Sequence, residues 1–223
     1  VNNAADDYYS KCKSDIGTMR TPPANLRIWL FQKMATSSAV MMQQGAMVDN
    51  SKIAEYLKEY SFILKLFLPD VTIGLSECRR YADIYGVTVH EMAHASHYMI
   101  VGNKYWDKYI EYIISSFISS GFVTYGSGTG DNAGYCEVGE MWAYYMQSKL
   151  YSERYTSNPR NFGLDYWFHP QIFLQLDEKG LDKYRIYGVL GTDIIDREIL
   201  KKKMLSMYPQ YKTAINQAFS RYN

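Results

Sequence analysis

Cysteine is scarce in this 223-residue chain: only Cys12, Cys78 and Cys136. No two form a Cys-x-x-Cys knuckle, and three thiols can make at most one bridge. A cysteine metal site and a disulfide framework are both excluded. Long apolar runs are missing too. No stretch reaches the 18 or more residues of a membrane-spanning helix, so no transmembrane segment is expected. Neither sign of charge is in excess, the formal net charge being +1. Without a basic arm or stripe, the chain has no electrostatic footprint for nucleic acid. Lys201-Lys202-Lys203 is short, lies in a helix-like stretch and reads as a solvated face. Internal repeats and low-complexity tracts are absent. The chain begins at Val1 rather than Met, which reads as a mature or trimmed terminus, consistent with a removed signal peptide.

What is present suits one packed domain. Hydrophobic residues make up 47% and charged residues 21%, enough for a sizeable core. Tyrosine is abundant at 22 residues. Its apolar body and polar tip suit core boundaries and clefts, and a phenol can stand beside a developing oxyanion.

Histidine is also rare, yet three of the 4 fall within eight residues: His90, His94 and His97. His90-Glu91-Met92-Ala93-His94 spells H-E-x-x-H, with roughly 0.005 matches expected by chance in such a composition. Two histidines four apart share one helix face, about 6 Å apart along the axis. Both imidazoles can reach one metal ion, and Glu91 can bend toward its open side as a general base. A catalytic zinc site takes three protein ligands and keeps a fourth position for water.

The third ligand has several candidates. A third histidine six residues after His94 would give a metzincin, but Ile100 stands there and His97 replaces the glycine. His97 is one turn past His94 on roughly the same face; it is expected to bond a neighbour or to line the cleft. Glu140 precedes an amphipathic helix in which small Ala143 permits close approach, and it is the first choice. Glu137, one turn earlier, is the second, or an acceptor for a ligand imidazole N–H. Asp131, in the glycine-rich run 128–134, is a third option, faintly similar to the aspzincin signature.

Periodicity predicts a helix over 24–45 (Leu26, Trp29, Leu30, Met34, Val40, Met41) and another over 51–68, N-capped by Ser51 with Glu55 in its first turn. Pro69-Asp70 ends the second. Residues 71–75 read as a short strand, a candidate edge on which a peptide could add a strand. The motif helix runs from Asp83 to about Val101, stops at Gly102-Asn103, and is followed by a helix over 104–119. A short strand at 122–124, a helix over 138–151 and a loop over 152–167 come next. Short helices around 168–178, 181–190, 196–206 and 209–221 complete the chain.

The motif run 89–97, together with Glu140–Ala143, resembles the gluzincin-type zinc metallopeptidases. More narrowly, it looks like the zinc-binding metallopeptidases found in gut Bacteroidetes and their relatives. Gly121–Tyr125 is similar to the segment before their third ligand, and together these motifs cover residues 83–150. The resemblance implies a mainly α (α+β) zincin-like domain over 1–223. Within it, a small sheet and edge strand pack on the motif helix, with a catalytic core over 24–151 and a C-terminal helical lobe over 165–223. It implies His90, His94 and Glu140 as Zn2+ ligands, Glu91 as base, and peptide or protein substrates. It further implies export to the periplasm or cell surface, often as a lipoprotein. Many relatives carry an acidic residue where this chain has Tyr144. Tyr135, Tyr144 and His97 are the candidate oxyanion donors, Tyr135 being taken as the catalytic one.

Overall fold

The computed structural model describes residues 1–45, 69–120, 125–155 and 160–222. It is mainly helical with small sheets. Helix α1 (Asn2–Lys11) leads into a two-stranded hairpin, β1 (Lys13–Ser14) and β2 (Gly17–Thr18). A three-stranded sheet follows, made of β3 (Ile28–Phe31), β4 (Ser38–Ala39) and β5 (Val71–Gly74). Helices α2 (Tyr81–Ser119) and α3 (Ala133–Arg154) form the centre of the molecule. Four further helices follow: α4 (Gln171–Glu178), α5 (Lys183–Tyr187), α6 (Arg197–Met207) and α7 (Lys212–Ser220).

The helix expected over 24–45 does not form. Ile28-Trp29-Leu30-Phe31 is a run of strong strand formers, and β5 gives it a parallel partner from Ile28↔Val71 to Phe31↔Gly74. Trp29, Leu30 and Phe31 stay 42%, 50% and 40% exposed, so their apolar spacing does not report a buried helix face. The same pairing corrects the expectation of an edge at 71–75. Strand β5 is central, with β3 on one side and antiparallel β4 on the other. Its backbone is occupied on both sides, and peptide addition to β5 is excluded. The helix expected over 51–68 and the strand at 122–124 lie outside the described residues.

Helix α1 escapes a periodicity search because its apolar residues are few. Ala4 and Tyr8, four apart, are its buried side. Asp7, flanking that side, accepts from Tyr85 of α2 (2.9 Å) and Arg154 of α3 (2.6 Å), tying three helices together.

Asp83 fixes the start of α2 by accepting from the Arg79 and Arg80 backbone N–H groups (3.2 and 3.0 Å). The Arg80 bond forms half of a capping box, in which the third helical residue reaches back to the N-cap N–H. Gly102 breaks the helix with φ 67° and ψ −175°, a conformation essentially confined to glycine. The break turns the second half of α2 back, so that Tyr105, Trp106 and Tyr109 face the motif histidines. Nothing lies within 4 Å of a Cβ built on Gly102, so a substitution there meets backbone strain alone. Gly102→Ala is expected to lower unfolding stability by about 1–3 kcal/mol. Chemical denaturation checks this; an unchanged midpoint would mean that the kink is not held by the fold.

The motif helix touches two core clusters. Val89, Met92 and Ala93 join α1, α3 and the C-terminal helices, whose Phe173, Leu176, Leu200 and Phe219 are fully buried. Ala95 and Tyr98 join the sheet and the second half of α2. His90 and His94, on the same helix, sit between these two apolar bodies. Among the described residues no helix is long and apolar enough to cross a membrane, and all three cysteines are free.

Candidate metal centre

His90 and His94 project from α2 toward α3, and Glu140 projects back from α3. Two contacts set this approach. The Trp142 indole N–H donates to the Ala93 carbonyl inside the motif (3.2 Å). Gly139 leaves room for Tyr109, since a Cβ there would lie 3.2 and 3.4 Å from its ring carbons.

The three side chains converge. Nε2 of His90 lies 3.1 Å from Nε2 of His94. Each of those nitrogens is 3.4 Å from a carboxylate oxygen of Glu140. All three residues are buried, Glu140 to 1% exposure, and together they could hold a metal ion. Three electron-pair donors facing one another in an apolar interior repel unless a cation or shared protons lie between them.

The electrostatics follow from that crowding. Burial alone would raise the Glu140 carboxyl, but His94 and His90 override it and hold it well below the usual carboxylate range. Burial opposes charging His90, yet the carboxylate of Glu140 raises its value above the ordinary one. For His94 burial wins and the value falls. Burial pushes Glu91 up to about 8, with Glu140 adding and His90 opposing.

Second-layer contacts are defined too. His90 Nδ1 stands 3.2 Å from Gln147 Oε1. If Nδ1 carries the proton and donates it there, Nε2 is left as the metal-facing lone pair. Gln147 lies seven residues after Glu140, two turns along the same face of α3, a spacing that sequence analysis could have used. Tyr109 donates to Glu140 Oε1 at 2.5 Å. No local signal reveals it, since the two residues are 31 apart in the chain.

A cavity of about 220 Å³ opens beside His90 and Glu91. Its far wall includes Thr36 and Ser37, from the loop between β3 and β4. That loop crosses Gly74 closely: a Cβ there would lie 2.4 Å from the Thr36 carbonyl oxygen, and Ser37 accepts from the Gly74 N–H at 3.0 Å. Tyr125, Tyr144 and Tyr166 form the aromatic wall. Tyr144, at the position often acidic in gluzincins, packs edge-on against His90 with ring centroids 4.4 Å apart.

The other expected site residues are placed elsewhere. Glu137 pairs with Arg197 (3.2 Å) and accepts from its backbone N–H at the start of α6, so it does not face the histidines. Asp131 is exposed in the turn before α3. Tyr135 packs on Tyr105 with ring centroids 4.7 Å apart and is not among the residues lining the cavity. His97 departs from both expectations: it neither lines the cavity nor bonds a neighbour. It is completely buried against Tyr105 and Trp106, with no hydrogen-bond partner on either ring nitrogen.

That burial has a pH consequence. Desolvation, helped by His94, pushes His97 from the ordinary 6.5 down to about 3. Between those values the unfolded chain takes a proton that the folded chain refuses. Stability is therefore intact above 6.5 and falls as pH drops toward 3. At pH 5 the loss is about 2 kcal/mol. In chelator-treated protein, His97→Leu is expected to flatten the stability profile between neutral pH and pH 5 by that amount. Identical slopes for parent and variant would refute the assignment.

The chain matches no protein-family model, no curated protein and no solved structure, so its likeness to gluzincin-type peptidases rests on these residues and their convergence alone.

Proposed function

We propose that this protein is a zinc-dependent hydrolase that cleaves peptide bonds, with an endopeptidase favoured over an exopeptidase. The observation that carries the proposal is the convergence of His90, His94 and Glu140 beside a cavity that Glu91 enters. Two nitrogens and one oxygen suit zinc, whereas calcium and magnesium take oxygen ligands. In a tetrahedral site with bonds of about 2.0–2.1 Å, ligand atoms stand about 3.3–3.4 Å apart. Separations of 3.1, 3.4 and 3.4 Å fit that figure.

When bound, zinc supplies a Lewis acid that lowers the pKa of water toward 7 and polarises a carbonyl. The remaining work falls to the chain. Glu91 Oε2 is buried with no hydrogen-bond partner, a free acceptor positioned to take a proton from attacking water and return it to the leaving amine. Gln147 holds the His90 ring in place. Tyr144 and Tyr125 line the cavity and can present phenol O–H groups to an oxyanion. Thr36 and Ser37, opposite, offer polar groups to an extended backbone. Export to the periplasm or cell surface belongs to the same proposal.

A catalytically inactive zinc-binding or protein-interaction domain is the second reading, favoured by the depth of the site: His90 is 6% and Glu91 3% exposed. A peptide-library cleavage assay separates the two readings. The peptidase reading expects chelator-sensitive cleavage that Glu91→Gln removes. Zinc-loaded protein that cleaves no member of the library would leave the binding reading standing.

A further inference from the structure

We propose that Tyr109 is a positioning residue that confines Glu140 to one metal-ligating oxygen and so keeps the centre four-coordinate. The inference rests on the metal-site reading above.

A carboxylate can bind a cation through one oxygen or both. Glu140 could do either, because its two oxygens each stand 3.4 Å from a ligand histidine. Tyr109 removes that symmetry. Its O–H donates to Oε1 at 2.5 Å, while Oε2 has no hydrogen-bond partner. A charge-assisted bond in a buried setting draws electron density from Oε1 and occupies one of its lone pairs. Oε2 keeps its full donor strength, so coordination runs through Oε2.

The surroundings hold the phenol in that position. Tyr109 stacks on Trp106 with ring centroids 4.7 Å apart, and Trp106 is anchored by donating to the Ala39 carbonyl of β4 (3.1 Å). Gly139, directly before the ligand, leaves the space the ring fills. Gly102 turns the chain so that a residue from the second half of α2 can reach α3 at all. One oxygen from Glu140 and one nitrogen from each histidine make three donors. A fourth position is then left for substrate or water, rather than being consumed by a second carboxylate oxygen.

Cobalt(II) is the probe, because its visible absorption is strong in four-coordinate sites and weak in five- or six-coordinate ones. The parent is expected to bind cobalt with an intense spectrum. In Tyr109→Phe, Oε1 is freed to coordinate, and the visible intensity is expected to drop by at least about twofold, with affinity falling roughly 10–100-fold. A residue that only supported the fold would not change the spectrum of the folded, loaded fraction. Equal intensity in the cobalt-loaded parent and variant overturns the proposal, whatever the affinity. So does a weak, higher-coordinate spectrum in the parent, which decides the matter even if the variant fails to fold. A parent that binds no cobalt overturns the metal-site reading itself, an outcome distinct from bound cobalt with unchanged spectra.

Discussion

Glu140→Gln is expected to abolish metal-dependent stabilisation while leaving the fold intact. The amide is nearly isosteric, and its carbonyl oxygen can still accept from Tyr109. It lacks the negative charge that offsets a divalent cation in a buried site. Changes to groups one layer out from a metal cost about 10–100-fold in affinity, so loss of a direct anionic ligand costs more. The readout is thermal unfolding with and without a chelator. A metal present at a thousand times its dissociation constant stabilises the folded state by about 4 kcal/mol. For a chain of this size that corresponds to roughly 8–16 °C in Tm. The parent should lose that increment on chelation, and Glu140→Gln should lack it from the start. A variant that keeps a chelator-sensitive Tm would show that Glu140 is not a ligand.

The second large effect is on turnover. Glu91→Gln preserves shape but cannot accept a proton. General-base catalysis contributes about 10²–10⁴-fold, so cleavage should fall by at least that range with zinc content unchanged. Burial pushes the Glu91 carboxyl up to about 8. A cation held nearby favours the ionised form and draws that value down toward the working pH. Activity should therefore rise with pH along a limb that reports Glu91, and the limb should disappear in the variant. Undiminished cleavage by Glu91→Gln would end the proposed mechanism.

The H-E-x-x-H spacing and the helical period around it are local properties, and from them the helix under the motif and the shared face of His90 and His94 can be read. The amphipathic run after Glu140 likewise marked α3, though the helix begins earlier, at Ala133. The short C-terminal helices were legible for the same reason; α5 and α6 also carry Asp182 and Asp196 as capping residues.

What failed depended on partners distant in the chain. Residues 28–31 are a strand because β5 lies 43 positions away in register, and apolar spacing contains nothing of that pairing. Gly102 signalled a stop, but not that the chain would fold back and deliver Tyr109 to Glu140. Tyr135 and Tyr144 were indistinguishable by composition. Their places on α3, nine residues apart, turn Tyr135 to Tyr105 and Tyr144 to His90.

We propose that His90, His94 and Glu140 form one zinc site, and elemental analysis of the protein purified without added metal, alongside Glu140→Gln, tests this most directly. About one zinc per chain in the parent and almost none in the variant is the predicted result. A parent free of zinc even after incubation with it, or equal zinc in both proteins, would contradict the claim.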